Sequence, residues 1–167
     1  MAARVAIVMG SDSDWPVMRR CRDQLKELGI EASVHVMSAH RSPERVHEFA
    51  VSARDQGLEI IIAAAGMSAA LSGCLAAATP LPVIGVPMAS GTLGGLDALL
   101  STVQMPPGVP VAGVSLGEAG AVNAAVLAAR ILGLADPQVA AALDGFRERQ
   151  RLSVQKKDQA IREGSES

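Results

Sequence analysis

A chain of 167 residues with 49% hydrophobic and 19% charged side chains has material for one sizeable core, which excludes a disordered chain and leaves little room for two typical domains. Its formal charge of −2 gives no general attraction to nucleic acid or to an anionic membrane, while leaving a local anion site possible. Two cysteines make neither a disulfide framework nor a four-ligand zinc site, no apolar run reaches membrane-spanning length, and no three-part secretory signal opens the chain. A cytoplasmic protein, with no membrane and no nucleic acid among its partners, is the expectation. Aromatic content is only 2%, so Ala, Val, Leu, Ile and Met must fill the core. Such a core buries less area per residue, which predicts apolar surface covered by partner subunits in a homo-oligomer, with a tightly packed monomer of small side chains as the alternative.

Val5–Met9 is an apolar run rich in β-formers and reads as a strand buried on both faces. After the turn Gly10–Asp14, Trp15-Pro16 opens a helix whose stripe is Val17, Met18, Cys21, Leu25 and Leu28, with Gly29 as its stop. Ser33–Met37 is the next strand. Ser38–Ser42 is a polar loop, Ser42 is suited to cap a helix starting at Pro43, and Val46, Phe49, Ala50 and Ala53 share one face of it. Leu58–Ala64 is a third strand, broken by Gly66. A short helix over Ala69–Ala78 ends at Thr79-Pro80, and Pro82–Val86 is a fourth strand. Leu96–Val103 reads as a helix, Val109–Val114 as a fifth strand, Ala119–Leu132 as an Ala-rich helix, and Asp136–Arg151 as a last helix. Repeated strand–loop–helix units with continuous apolar strands predict an α/β fold, a three-layer αβα sandwich around a parallel sheet, flavodoxin-like or Rossmann-like. The expected organisation is one catalytic domain over 1–151 and a tail over 152–167, mobile or packed on a neighbouring subunit, because apolar periodicity fades beyond Arg151.

The loops after the first three strands should gather at one end of the sheet. In Gly10–Asp14 the glycine permits a tight turn, and Ser hydroxyls with helix-start N–H groups can hold an anion. Its carboxylates repel phosphate but accept hydrogen bonds from sugar hydroxyls; the plainer reading is a helix cap. Neither GxxxxGK[ST] nor GxGxxG occurs at this turn, which argues against a nucleotide triphosphatase and a dinucleotide enzyme. In Ser38–Ser42, His40 can exchange a proton near neutral pH and Arg41 can bind phosphate through several donors. A solvated His beside a solvated Arg is the alternative. His35, His40 and His47 have no metal-cluster spacing, and no HExxH is present, so no metal is expected. Ala65–Gly73 is a small-residue loop that would let a planar ligand approach backbone amides. Pro87–Gly95 and Gln104–Pro110 are further small-residue segments, with Met105 read as packing. Cys21 belongs to the apolar stripe and Cys74 has no sequence-local activating partner.

Three strings, Met9-Gly10-Ser11-Asp12-Ser13-Asp14-Trp15, Ser38-Ala39-His40-Arg41-Ser42-Pro43 and the run from Gly94 to Pro106, resemble the catalytic subunit of phosphoribosylaminoimidazole carboxylase and the related carboxyaminoimidazole ribonucleotide mutases. Asn123-Ala124-Ala125 adds to a likeness that runs from about Val5 to Arg151. The resemblance implies a purine-biosynthesis enzyme acting on aminoimidazole ribonucleotides, with no cofactor, no structural metal, and an octameric assembly with sites near subunit boundaries. It implies His40 as the acid/base, Arg41 and Ser11 at phosphate, and Asp14 at a ribose hydroxyl. Ser13, Ser38, Gly66, Ser68, Ser72 and Gly73 are implied in the same substrate cleft. One stretch departs: Gly66–Gly73 has Ala70 and Ser72 where many bacterial mutases carry His and Pro, and Ser68–Gly73 partly resembles the direct carboxylases. Arg41, where direct carboxylases often have Lys, favours the mutase. Direct carboxylation by carbon dioxide is the second reading, and a nucleotide-binding regulatory module without turnover the third.

Overall fold

The computed structural model describes residues 3–164. Five parallel strands form its sheet: β1 (Val5–Met9), β2 (Ala32–Val36), β3 (Ile60–Ala65), β4 (Val83–Pro87) and β5 (Ala112–Gly113), in the spatial order β2-β1-β3-β4-β5. That order is flavodoxin-like, which decides between the two architectures expected. Met9 pairs with Val36 on one side and Ala64 on the other, so the loops leaving β1, β2 and β3 emerge together. Chain direction across the sheet reverses between β1 and β3, and a crevice opens at such a reversal.

Alternation along the buried strands feeds two cores. Val5, Ile7, Met9, Ile60, Ile62 and Ile84 meet α1 (Trp15–Glu27), α5 (Gly117–Leu132) and the start of α6 (Pro137–Arg162). Ala6, Val8, Ile61 and Ala63 meet α2 (Pro43–Ser52) and α3 (Leu71–Ala78). The face of α5 is Ala121, Ala124, Ala125, Ala128 and Ala129, all fully buried, so its backbone comes close to the sheet without aromatic filling. Asp136 caps α6 by accepting from the Gln138 and Val139 N–H groups at 3.0 and 3.3 Å, while Arg4 reaches its other oxygen at 2.6 Å.

Three local expectations change. The fifth strand shrinks to Ala112–Gly113, an edge beside Pro106, Pro107 and Pro110, which lack backbone donors. Ser42 does not cap α2 with its side chain. Its Oγ instead donates to Ser38 O and accepts from Ser38 N, both at 3.1 Å, which closes the 38–42 loop. The last helix does not stop at Arg151 but continues to Arg162, a polar helix laced by Glu148–Arg151 and Asp158–Arg162 pairs and tied to α1 through Arg149–Glu27. The tail expected over 152–167 is therefore helical as far as Arg162, and its last three residues lie outside the described ones.

Candidate active site

A cleft of about 600 Å³ lies at the C-terminal ends of the strands, where the loops after β1, β2, β3 and β4 meet. The first loop is organised by Ser11. Its Oγ accepts from the Ser13 N–H at 3.2 Å and the Ser13 hydroxyl at 2.8 Å, winding Asp12–Asp14 into a single 3-10 turn. Asp14 ends that turn with only 9% of its surface exposed, and its carboxyl receives no side-chain donor among the described residues. Burial holds that carboxyl above the usual carboxylate range. The Asp12 charge acts in the same direction, and the Ser11 backbone opposes them.

The second loop crosses to the first through Arg41. Ser38 Oγ accepts from the Arg41 N–H at 3.2 Å and from Nε at 3.4 Å, while Nη2 donates to Gly10 O at 3.3 Å. Arg41 pairs with no carboxylate among the described residues, so its charge is available to an anion. His40 stands exposed in this loop and lines the cleft. The other histidines lie elsewhere: His35 stacks near Phe49 and bonds to Ser33 at 2.9 Å, and burial, with Arg45 nearby, lowers its pKa.

Loops after β3 and β4 supply the opposite wall. Gly66 and Ser68 line it as expected, together with Met67, Ala70, Leu71 and Ser90. Met67 has φ 57°, a left-handed conformation uncommon for a side chain of its kind. Two expected residues do not line the cleft. The Ser72 side chain is buried against the sheet next to Gly85, and Gly73 packs against Met105. Ser11, Ser13, Asp14, Ser38, His40, Arg41, Gly66 and Ser68 do come together. Sequence reasoning named the segments Ala65–Gly73 and Pro87–Gly95 without singling out Met67 in the first or Ser90 in the second.

Among the described residues no group of three His, Cys, Asp or Glu side chains is placed to hold a metal. Cys21 is buried with its thiol pushed up to about 12, which makes it inert packing, whereas Cys74 is exposed outside the cleft. The cleft thus offers a free guanidinium, hydroxyls, a buried carboxyl and an imidazole, a set suited to a phosphorylated sugar bearing a group that exchanges a proton.

A flavodoxin-like sheet with this constellation at its switch point defines an α/β nucleotide-handling domain. The chain belongs to the AIR carboxylase family, whose model matches residues 4–153. It is 56% identical over 155 residues to the N5-carboxyaminoimidazole ribonucleotide mutase of Mycobacterium tuberculosis, covering 93% of this chain and 88% of that one. It is 52% identical over 154 residues to the mutase of Brucella melitensis, covering 92% and 95%. Among solved structures it superposes on Treponema denticola PurE with a TM-score of 0.83 at 31% identity, over 94% of this chain and 97% of that one.

Proposed function

We propose that this protein is an N5-carboxyaminoimidazole ribonucleotide mutase, which moves a carboxyl group from the exocyclic nitrogen of the substrate to C4 of the imidazole. The observation that carries this reading is the convergence of His40, Arg41, Ser11 and Asp14 on one cleft. Arg41 and Ser11 take the phosphate, Asp14 accepts from a ribose hydroxyl, and Ser13 and Ser38 hold the loops that present them. Bound in this way the ring is oriented before reaction. The C–N bond breaks to release carbon dioxide, and His40 supplies a proton to the nitrogen left behind. The electron-rich C4 then attacks carbon dioxide, and His40 takes the proton that C4 loses. One proton is given and one recovered, so the cycle needs no net acid or base. Small residues of the third loop enclose the carbon dioxide and limit its escape.

Direct carboxylation of aminoimidazole ribonucleotide is a second reading, favoured by Ala70 where the mutases it resembles carry His. One pair of assays separates the two. Purified protein should convert N5-carboxyaminoimidazole ribonucleotide to 4-carboxy-5-aminoimidazole ribonucleotide without ATP. Turnover only of aminoimidazole ribonucleotide with carbon dioxide establishes the carboxylase, and nucleotide binding with neither reaction establishes a regulatory module. The proposed enzyme works in the cytoplasm as an octamer, with residues 1–151 as its catalytic unit and the far end of α6 against a neighbour. No described helix is long and apolar enough to cross a membrane.

A further inference from the structure

Along the sheet edge the loops follow the strand order, β2, β1, β3, β4, so the two ends of the cleft differ chemically. Arg41 lies across the β2 and β1 loops, with Nη2 on Gly10 O, and among the described residues it is the only Lys or Arg side chain lining the cleft. On the β3–β4 side the only polar side chains among the described residues are Ser68 and Ser90. A carboxylated nucleotide brings two anionic groups. Its phosphate takes the guanidinium, and the carboxyl group on the ring needs a different partner.

Ser90 is built for that position. Met88 N–H bonds Ala65 O at 2.9 Å and Ser90 N–H bonds Met88 O at 3.0 Å, which fixes the Ser90 backbone just beyond β4. A Cβ on Gly66 would fall 2.0 Å from Ser90 Oγ, so the hydroxyl lies directly against a glycine that alone leaves it room. One residue further along both loops, a Cβ on Gly91 would fall 3.4 Å from Met67 Cγ. The loops therefore interlock at Gly66–Ser90 and again at Met67–Gly91, and Met67 is kept in its left-handed conformation beside them. Ser90 Oγ makes no hydrogen bond to protein among the described residues. Ser68, in contrast, is exposed at the loop surface, whereas Ser90 is half-buried.

We propose that Ser90 is a specificity-determining residue that donates a hydrogen bond to the migrating carboxyl group. The inference rests on the mutase reading and adds a residue to it. A neutral hydroxyl suits the chemistry. A cation would hold the carboxylate in its starting position, whereas a hydroxyl rotates with the group as it leaves nitrogen, passes through neutral carbon dioxide and arrives at C4.

The test is equilibrium binding of 4-carboxy-5-aminoimidazole ribonucleotide and of 5-aminoimidazole ribonucleotide, which lacks the carboxyl group. Ser90→Ala should weaken the first about tenfold to a hundredfold, the range for a hydrogen bond to a charged group, and leave the second within about twofold. Its melting temperature should match the wild type. Unchanged affinity for the carboxylated nucleotide, or equal loss for both nucleotides, overturns the assignment. So does selective loss in Ser68→Ala with none in Ser90→Ala. Wild-type protein that binds neither nucleotide overturns the mutase reading itself, and this inference with it.

Discussion

Among the described residues His40 is the only imidazole lining the cleft, and it sits in a loop closed by Ser38 and Ser42 rather than in a packed core. Its removal should therefore spare the fold and affect proton transfer. His40→Asn is expected to keep nucleotide binding and raise the chemical barrier by about 3–5 kcal/mol, the scale of a lost general acid/base. Single-turnover rates beside equilibrium binding check this, since product release otherwise conceals the step; a near-wild-type chemical rate would remove His40 from its role. Asp14 shows an opposite balance, in which the site is maintained against stability. Its carboxyl is raised by burial, so the folded state binds the proton more tightly than the unfolded chain does. The stabilisation linked to this proton is complete below the ordinary carboxylate pKa and is lost as pH rises through the folded value. As pH rises through that value the buried group works increasingly against folding. Asp14→Asn is expected to raise the melting temperature near neutral pH and to lose that advantage in acid, while weakening nucleotide binding because a neutral amide oxygen replaces the charged carboxylate as acceptor. Melts across a pH series with parallel titrations measure both, and a variant less stable than wild type at neutral pH contradicts the account.

At the level of elements, the Ala-rich helix α5 depends on close backbone approach. A Cβ on Gly120 would lie 1.7 Å from Ser115 O and 2.7 Å from Ser115 C, and a backbone carbonyl cannot swing aside as a long side chain does. Gly120→Ala should cost about 3 kcal/mol, the upper part of the overpacking range, read as a lower urea midpoint. A loss below about 0.5 kcal/mol would show that the α5 start relaxes freely. Strands such as β1 and β3 were legible because a strand buried on both faces must be an unbroken apolar run, and Val5–Met9 and Ile60–Ala65 are such runs. The far end of α6 was not, because charge pairs along its surface support it in place of an apolar stripe. In the site, Ser11 to Asp14 and Ser38 to Arg41 were readable since each loop is local in sequence. Ser90 was not, because its place depends on a missing Cβ at Gly66 in another loop. Ser72 and Gly73 lie outside the cleft for a rotational reason: α3 begins at Leu71, and the helix turns the next two positions toward the sheet and Met105.

For the whole molecule, the shortage of aromatics leaves apolar surface that one subunit does not cover. Leu93, Leu96, Leu100 and Val103 recur at helical spacing along and just before α4 (Leu96–Val103), and each is between 46% and 62% exposed. Beside them the short edge strand β5 is exposed, and Leu152, Val154 and Ile161 are uncovered on the far part of α6. Burying one such side chain fully is worth about 1.5–3 kcal/mol, so a row of four repeated around a symmetric assembly supplies a substantial drive to associate. The proposed octamer would use this surface, and light scattering across a concentration series should return the mass of eight chains. Placing charge in the row tests where the contact lies. The double variant Leu96→Glu, Leu100→Glu should shift the protein to smaller species while leaving its circular dichroism intact, because both residues are already exposed in the single subunit. A wild-type monomer at working concentration would defeat the assembly. An octamer that survives both charges would leave the assembly standing and move its contacts from α4 to the far end of α6.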